Sequence, residues 1–210
     1  IISSIRYFFP AAEVIRLMQS IDAFFAVLCL ILLRQIVLKL NDNKTTSNAL
    51  TLFVGTSFGL MRFACEAETY ILPIFASLVS SWFYLKAIQS GKSRYAFYSG
   101  VFASLACLFH QIHLFWGIGL FMGFLTTRKF KNLLMFTLPT PLVLVVYSWV
   151  LVDYNHTAFS IDHLFHFLAQ YYFTDQGKVM IPLLSKLTVT AITFVRTFFQ
   201  VHGTVLETLR

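Results

Sequence analysis

Charge is scarce in this chain. Asp, Glu, Lys and Arg together make up 12% of its 210 residues, about half the share that a soluble domain uses to cover its surface. Another 58% is hydrophobic, a share that includes the aromatic residues, 17% of the chain. Such a composition excludes an ordinary water-facing surface and points to a polytopic membrane protein. Cysteine is nearly missing as well. Cys29, Cys65 and Cys107 fit no C-x-x-C spacing, which argues against a disulfide framework or a cysteine zinc site. Cys29 and Cys107 lie in apolar runs and read as small buried hydrophobes. H-E-x-x-H, G-x-S-x-G, a glycine-rich phosphate loop and a dinucleotide fingerprint are all absent. So is any internal repeat or low-complexity segment. The chain opens on Ile1 without the basic start of a signal peptide and stops at Arg210, so it reads as an internal piece of a longer protein.

What the chain has in quantity is apolar runs. A membrane-crossing helix needs roughly 20 mostly apolar residues. Runs near Val14–Leu33, Ser47–Ala64, Tyr70–Ala87, Tyr95–Phe109, Leu114–Thr126 and Leu133–Val152 meet or approach that length. A seventh, Ile181–Phe199, is interrupted by Lys186 and Arg196. The expected fold is all-α: a transmembrane helix bundle of about six to seven membrane helices, forming a single transmembrane domain over residues 1–210. Residues 153–180 form an external loop. Within it, Ile161, Leu164, Phe165 and Leu168 recur at helical spacing after Ser160, a good N-cap, which predicts an amphipathic helix lying on the membrane.

The net charge of +7 does not signal a nucleic-acid partner, because the basic residues are spread in short clusters between apolar runs. Arg34, Lys39 and Lys44 occupy the first link, Lys86, Lys92 and Arg94 the third, and Arg128, Lys129 and Lys131 the fifth. These alternate links hold nine of the sixteen Lys and Arg. The positive-inside rule puts them in the cytoplasm. Glu66, Glu68, His110, His113, Asp153, His156, Asp162, His163, His166 and Asp175 are then expected at the opposite, extracytoplasmic face, where any chemistry is expected to occur.

Three groups stand out there. Glu66 and Glu68 sit two apart in FACEAETYILP. In an extended turn both carboxylates can reach one hard cation such as Mg²⁺ or Mn²⁺, although a solvated polar loop has the same composition. His110 and His113, in FHQIHLFW, lie one helical turn apart and suit a metal or a phosphate, or simply a polar interface beside Trp116. Arg62 can pair with Glu66 four residues on, hold a lipid phosphate, or snorkel to the interface. Asp22, inside the first run, is expected to face the bundle interior.

The order of these features resembles the GT-C superfamily of membrane glycosyltransferases, in particular the bacterial relatives of protein O-mannosyltransferases and of the lipid A aminoarabinose transferase. Three stretches carry the resemblance: VIRLMQSIDAFFAVLCLILLRQIV, RFACEAETYILPIFASLVSSWFYLKA and GKSRYAFYSGVFASLACLFHQIHLFWGIGL. Together they cover about residues 14–130. The resemblance implies transfer of a sugar, with inversion, from a polyprenyl-phosphate donor to an acceptor at the extracytoplasmic face, in a multi-pass protein of the bacterial inner membrane. It implies that Glu66 and Glu68 hold a divalent cation. Arg62 and protonated His110 and His113 would meet the donor phosphate, and Asp153, His156, Asp162, His163 and His166 would lie on the acceptor side. The main catalytic acid of such enzymes falls in a loop that would precede Ile1, so this piece alone is expected to be inactive. The rival classes are a membrane transporter or flippase, and a lipid-sugar enzyme of the O-antigen ligase or polymerase kind.

Overall fold

A computed structural model of the chain describes residues 14–65, 70–173 and 183–199. Among the described residues all elements are helical and no strand occurs. Ten α-helices follow one another: α1 (Val14–Asn41), α2 (Lys44–Gly55), α3 (Phe58–Cys65), α4 (Ile71–Ser90), α5 (Ser93–Phe109), α6 (Leu114–Thr126), α7 (Phe130–Thr137), α8 (Pro141–Trp149), α9 (Ile161–Phe173) and α10 (Leu183–Phe198). A 3₁₀ turn, Gln111–His113, joins α5 to α6, and a π turn, Val150–Tyr154, extends α8. Among the described residues three helical stretches are long and apolar enough to cross a membrane: Ile15–Asn41, Ile71–Ser90 and Phe130–Tyr154. Two shorter apolar helices are Gln111–Thr126 and Leu187–Phe198.

The chain divides into two compact units, residues 1–71 with 181–210, and residues 72–180. In the first unit α1 runs beyond the expected Leu33 to Asn41. Ile36, Val37, Leu38 and Leu40 continue the helix through the basic link, and Ile36 is buried. Only Asp42 and Asn43 remain for the turn. Asn43 caps α2 by accepting from the Thr46 N–H at 3.1 Å, and Arg34 Nε donates to Asn48 Oδ1 at 2.7 Å across the hairpin. The expected run Ser47–Ala64 is broken at Thr56–Ser57. There the Thr56 and Ser57 hydroxyls donate to the carbonyls of Leu52 and Val54 at 2.9 and 2.6 Å. Hydroxyl side chains that bond their own backbone compete with helix continuation, and Gly55 lowers helix propensity just before them. Thr197 of α10 covers Gly59 of α3, and Phe53 stacks on Phe198 at 5.0 Å. Asp22 is buried, as expected for an interior-facing acid.

The second unit is built on small residues. Ala96, Ser99, Gly100 and Ala103 of α5 are buried. A Cβ on Gly100 would run into the carbonyl of Phe136, so α5 and α7 approach backbone to backbone there. Lipid offers no hydrophobic drive between helices, and small residues bring backbones together instead. Phe124 and Phe136 fill the space between Ala87, Ala96 and Ala103. Ser80 and Ser99, both buried, exchange hydroxyl-to-carbonyl hydrogen bonds of 2.8 and 2.9 Å between α4 and α5. The outer surface is apolar: Phe130, Leu134, Leu138, Leu142, Val145, Trp149 and Val152 form an exposed stripe at helical spacing. A stripe of large apolar groups on the outside suits a lipid-facing surface.

Candidate functional site

The candidate site is the α5–α6 connection of the second unit. α5 ends at Phe109, and His110 leaves the helix in an extended conformation, φ −156° and ψ 122°. Its Nδ1 accepts the Ile112 N–H at 3.3 Å, so the imidazole caps the 3₁₀ turn that His113 completes. The two rings stand edge to face with centroids 6.4 Å apart. The expectation of two histidines on one helical turn is thus corrected in detail, since His110 is the cap and lies outside the helix, yet the rings are neighbours.

Two hydrogen bonds tie this turn to α4. His113 Nδ1 is 2.7 Å from the hydroxyl of Ser77, which is 2% exposed. Trp116 Nε1 donates to Ser81 Oγ at 3.0 Å, and that hydroxyl donates on to the Ser77 carbonyl at 2.9 Å. Burial, and to a lesser degree the neighbouring His110, hold the His113 imidazole below its ordinary pKa. The direction of that shift favours the neutral imidazole. Ser77 engages Nδ1, which leaves Nε2 as the ring's other hydrogen-bonding nitrogen.

The far side of the turn is fixed by α8. Tyr147 donates its hydroxyl hydrogen to the Cys107 carbonyl at 2.9 Å, satisfying an acceptor in the last turn of α5. The Tyr147 ring meets Phe167 of α9 edge-on at 5.9 Å. From this end of α5 an apolar cavity of about 370 Å³ opens between α5, α6, α7 and α8. Ala103, Ser104, Cys107, Leu114, Ile118 and Phe121 are among its lining residues. Cys107 precedes His110 by one turn and Leu114 follows His113 directly, so the cavity lining flanks the histidine turn in sequence, although neither histidine lines it. The Ser104 hydroxyl, buried on its wall, has no hydrogen-bond partner among the described residues. A slot of this volume is within the range of small-molecule sites.

The other expected residues are dispersed. Arg62 is exposed in the last turn of α3, in the first unit. Glu66 and Glu68, expected to bind the cation, lie outside the described residues. Asp153 is exposed on the π turn, and His156, at φ 51°, is exposed in the loop that follows. Asp162, His163 and His166 are exposed on α9. Ser160 caps that helix as expected, its hydroxyl accepting the His163 N–H at 3.3 Å, while His163 Nδ1 lies 2.8 Å from the Ala158 carbonyl. Among the described residues no group of three His, Cys, Asp or Glu could hold a metal. Reading the sequence missed Ser77, Ser81 and Tyr147. The signal for the first two was present: Ser77, Ser80 and Ser81 form a polar stripe at helical spacing in an otherwise apolar helix. Tyr147 gave no such signal, because its partner is a backbone carbonyl 40 residues away.

No family model, curated protein or solved structure matches this chain.

Proposed function

We propose that the chain is part of a multi-pass membrane glycosyltransferase that takes a sugar from a polyprenyl-phosphate donor at the extracytoplasmic face, in a membrane such as the bacterial inner membrane. The observation that carries this reading is the histidine turn, whose sequence neighbours Cys107 and Leu114 line an apolar cavity. An isoprenoid chain suits the cavity, and its phosphate suits the imidazoles of the adjoining turn. Neutral His113, aligned by Ser77, donates an Nε2–H hydrogen bond to a phosphate oxygen as charge develops on the leaving group. In the transfer, the bond from the sugar C1 to the phosphate oxygen breaks and the phosphate keeps the electron pair. A bond from C1 to the acceptor oxygen forms on the opposite face, and the acceptor proton passes to a carboxylate base. That base is assigned to no residue of this chain. A divalent cation held by Glu66 and Glu68 belongs to the same proposal and supplies charge compensation when bound. Arg62 remains assigned to donor phosphate, and the α9 helix with its approach, Asp153 to His166, to the acceptor. The six- to seven-span topology is retained here, with α9 on the membrane surface.

The test is transfer of labelled sugar from a polyprenyl-phosphate donor by the full-length protein in lipid vesicles. The reading predicts that Glu66→Ala with Glu68→Ala, and separately His110→Ala with His113→Ala, each lower transfer at least about tenfold, the scale of one lost charge-stabilising contact. Undiminished transfer in the histidine pair would remove them from the mechanism. One observation favours a second reading, a lipid flippase: the Phe130–Tyr154 span is interrupted at Leu138–Thr140, and broken helices mark transporter sites. Movement of the donor lipid between leaflets without sugar transfer would favour it.

A further inference from the structure

The end of the second unit opposite the histidine turn carries a second, independent feature. Two basic links meet there: Lys129 Nζ donates to the Ile88 carbonyl at 2.8 Å, tying the α6–α7 link to the last turns of α4. A surface concavity of about 680 Å³ lies between the links. Lys92 caps α5, Arg94 stands in its first turn and Lys131 in the first turn of α7, while Phe97, Tyr98 and Met135 supply an apolar wall that continues along α5 and α7. Arg94 is held in place from one side, its guanidinium 5.0 Å over the Tyr95 ring and its Nη2 donating to Tyr95 Oη at 3.3 Å. Lys86 is braced in the same way over Trp82 at 5.1 Å. Among the described residues of this unit the acids are Asp153 and Asp162, in the π turn after α8 and in the first turn of α9.

We infer that this concavity is a binding site for the phosphate headgroup of an anionic phospholipid, with the acyl chains lying along Phe97, Tyr98 and Met135. Three cations from the starts of α5 and α7 converge on one hollow, where charges that only set topology need no common hollow. The apolar wall beside them selects an amphiphile over a free anion. Phosphate with a chain attached satisfies both surfaces, since Arg and Lys pair with phosphate oxygens and basic pockets at helix ends take lipid headgroups.

The experiment compares thermal unfolding of the full-length protein in phosphatidylcholine vesicles with and without phosphatidylglycerol, and counts phosphatidylglycerol molecules retained in native mass spectrometry. The wild type is expected to melt higher with phosphatidylglycerol and to retain it. Lys92→Glu with Lys131→Glu is expected to abolish both effects and to lower phosphatidylglycerol affinity about tenfold or more. The neutral pair Lys92→Gln with Lys131→Gln, milder on folding, is expected to weaken both. Each variant is referred to its own melt in pure phosphatidylcholine, so a general loss of stability does not mimic loss of the site. Equal phosphatidylglycerol preference in wild type and both variants would overturn the inference, and so would an equal rise in melting with inorganic phosphate alone. These readouts do not depend on sugar transfer.

Discussion

Ser77 is the residue on which the histidine turn depends. Its hydroxyl lies 2.7 Å from His113 Nδ1, so it orients the imidazole ring. Ser77→Ala is expected to lower transfer several-fold and to change the ¹⁵N chemical-shift pattern of the His113 ring, whereas Ser77→Thr, which keeps the hydroxyl, restores both. An unchanged ring signature in Ser77→Ala would end the positioning role. The pH dependence of stability follows from the same group. The folded pKa of His113 is lowered from 6.5 by burial and by His110. Its contribution is therefore fully present above about pH 6.5, and is lost as pH falls toward the folded value and the unfolded state takes the proton first. Unfolding measured from pH 7.5 to pH 5 should show that decline in the wild type and less of it in His113→Gln.

At the scale of elements, the second unit is organised by close helix contacts. Gly100 has no room for a methyl group against the Phe136 carbonyl, so Gly100→Ala forces α5 and α7 apart. An overpacked contact of this kind costs about 1–3 kcal/mol, read as a lower midpoint in a detergent unfolding titration. Gly119 on α6 has nothing within 4 Å, and Gly119→Ala should be neutral or stabilise by up to about 1 kcal/mol through helix propensity. Ser80→Ala and Ser99→Ala should each cost about 0.5–1 kcal/mol, the usual worth of a hydrogen bond between membrane helices. These elements were largely legible in the chain. Ser160 announced its helix, Pro139 and Pro141 announced the break before α8, and the apolar runs announced α1, α4 and the 130–154 stretch. The break at Thr56–Ser57 was not announced, because Gly, Thr and Ser are each tolerated inside a membrane helix and only their combined backbone bonding ends one. The extension of α1 to Asn41 was hidden by the basic residues, which mark a membrane boundary and say nothing of where a helix stops.

At the scale of the whole molecule, composition gave the all-helical class and the apolar exterior directly. The site was legible in part: His110 and His113 stood out as polar residues between apolar runs, but the neighbouring cavity is assembled from residues between Ala103 and Leu144 that look like ordinary lipid-facing filler. Such a space exists only once α5, α6, α7 and α8 are packed. The central claim is that this cavity holds the chain of a lipid whose phosphate lies at the histidine turn. The most direct measurement is photolabelling of the full-length protein in vesicles with a polyprenyl phosphate carrying a diazirine on its first isoprene unit. Labelled peptides from residues 103–121, protected by excess unlabelled polyprenyl phosphate and lost in His110→Ala with His113→Ala, are the predicted result. Labelling spread along the exposed stripe from Phe130 to Val152, with no protection by the unlabelled lipid, would contradict it.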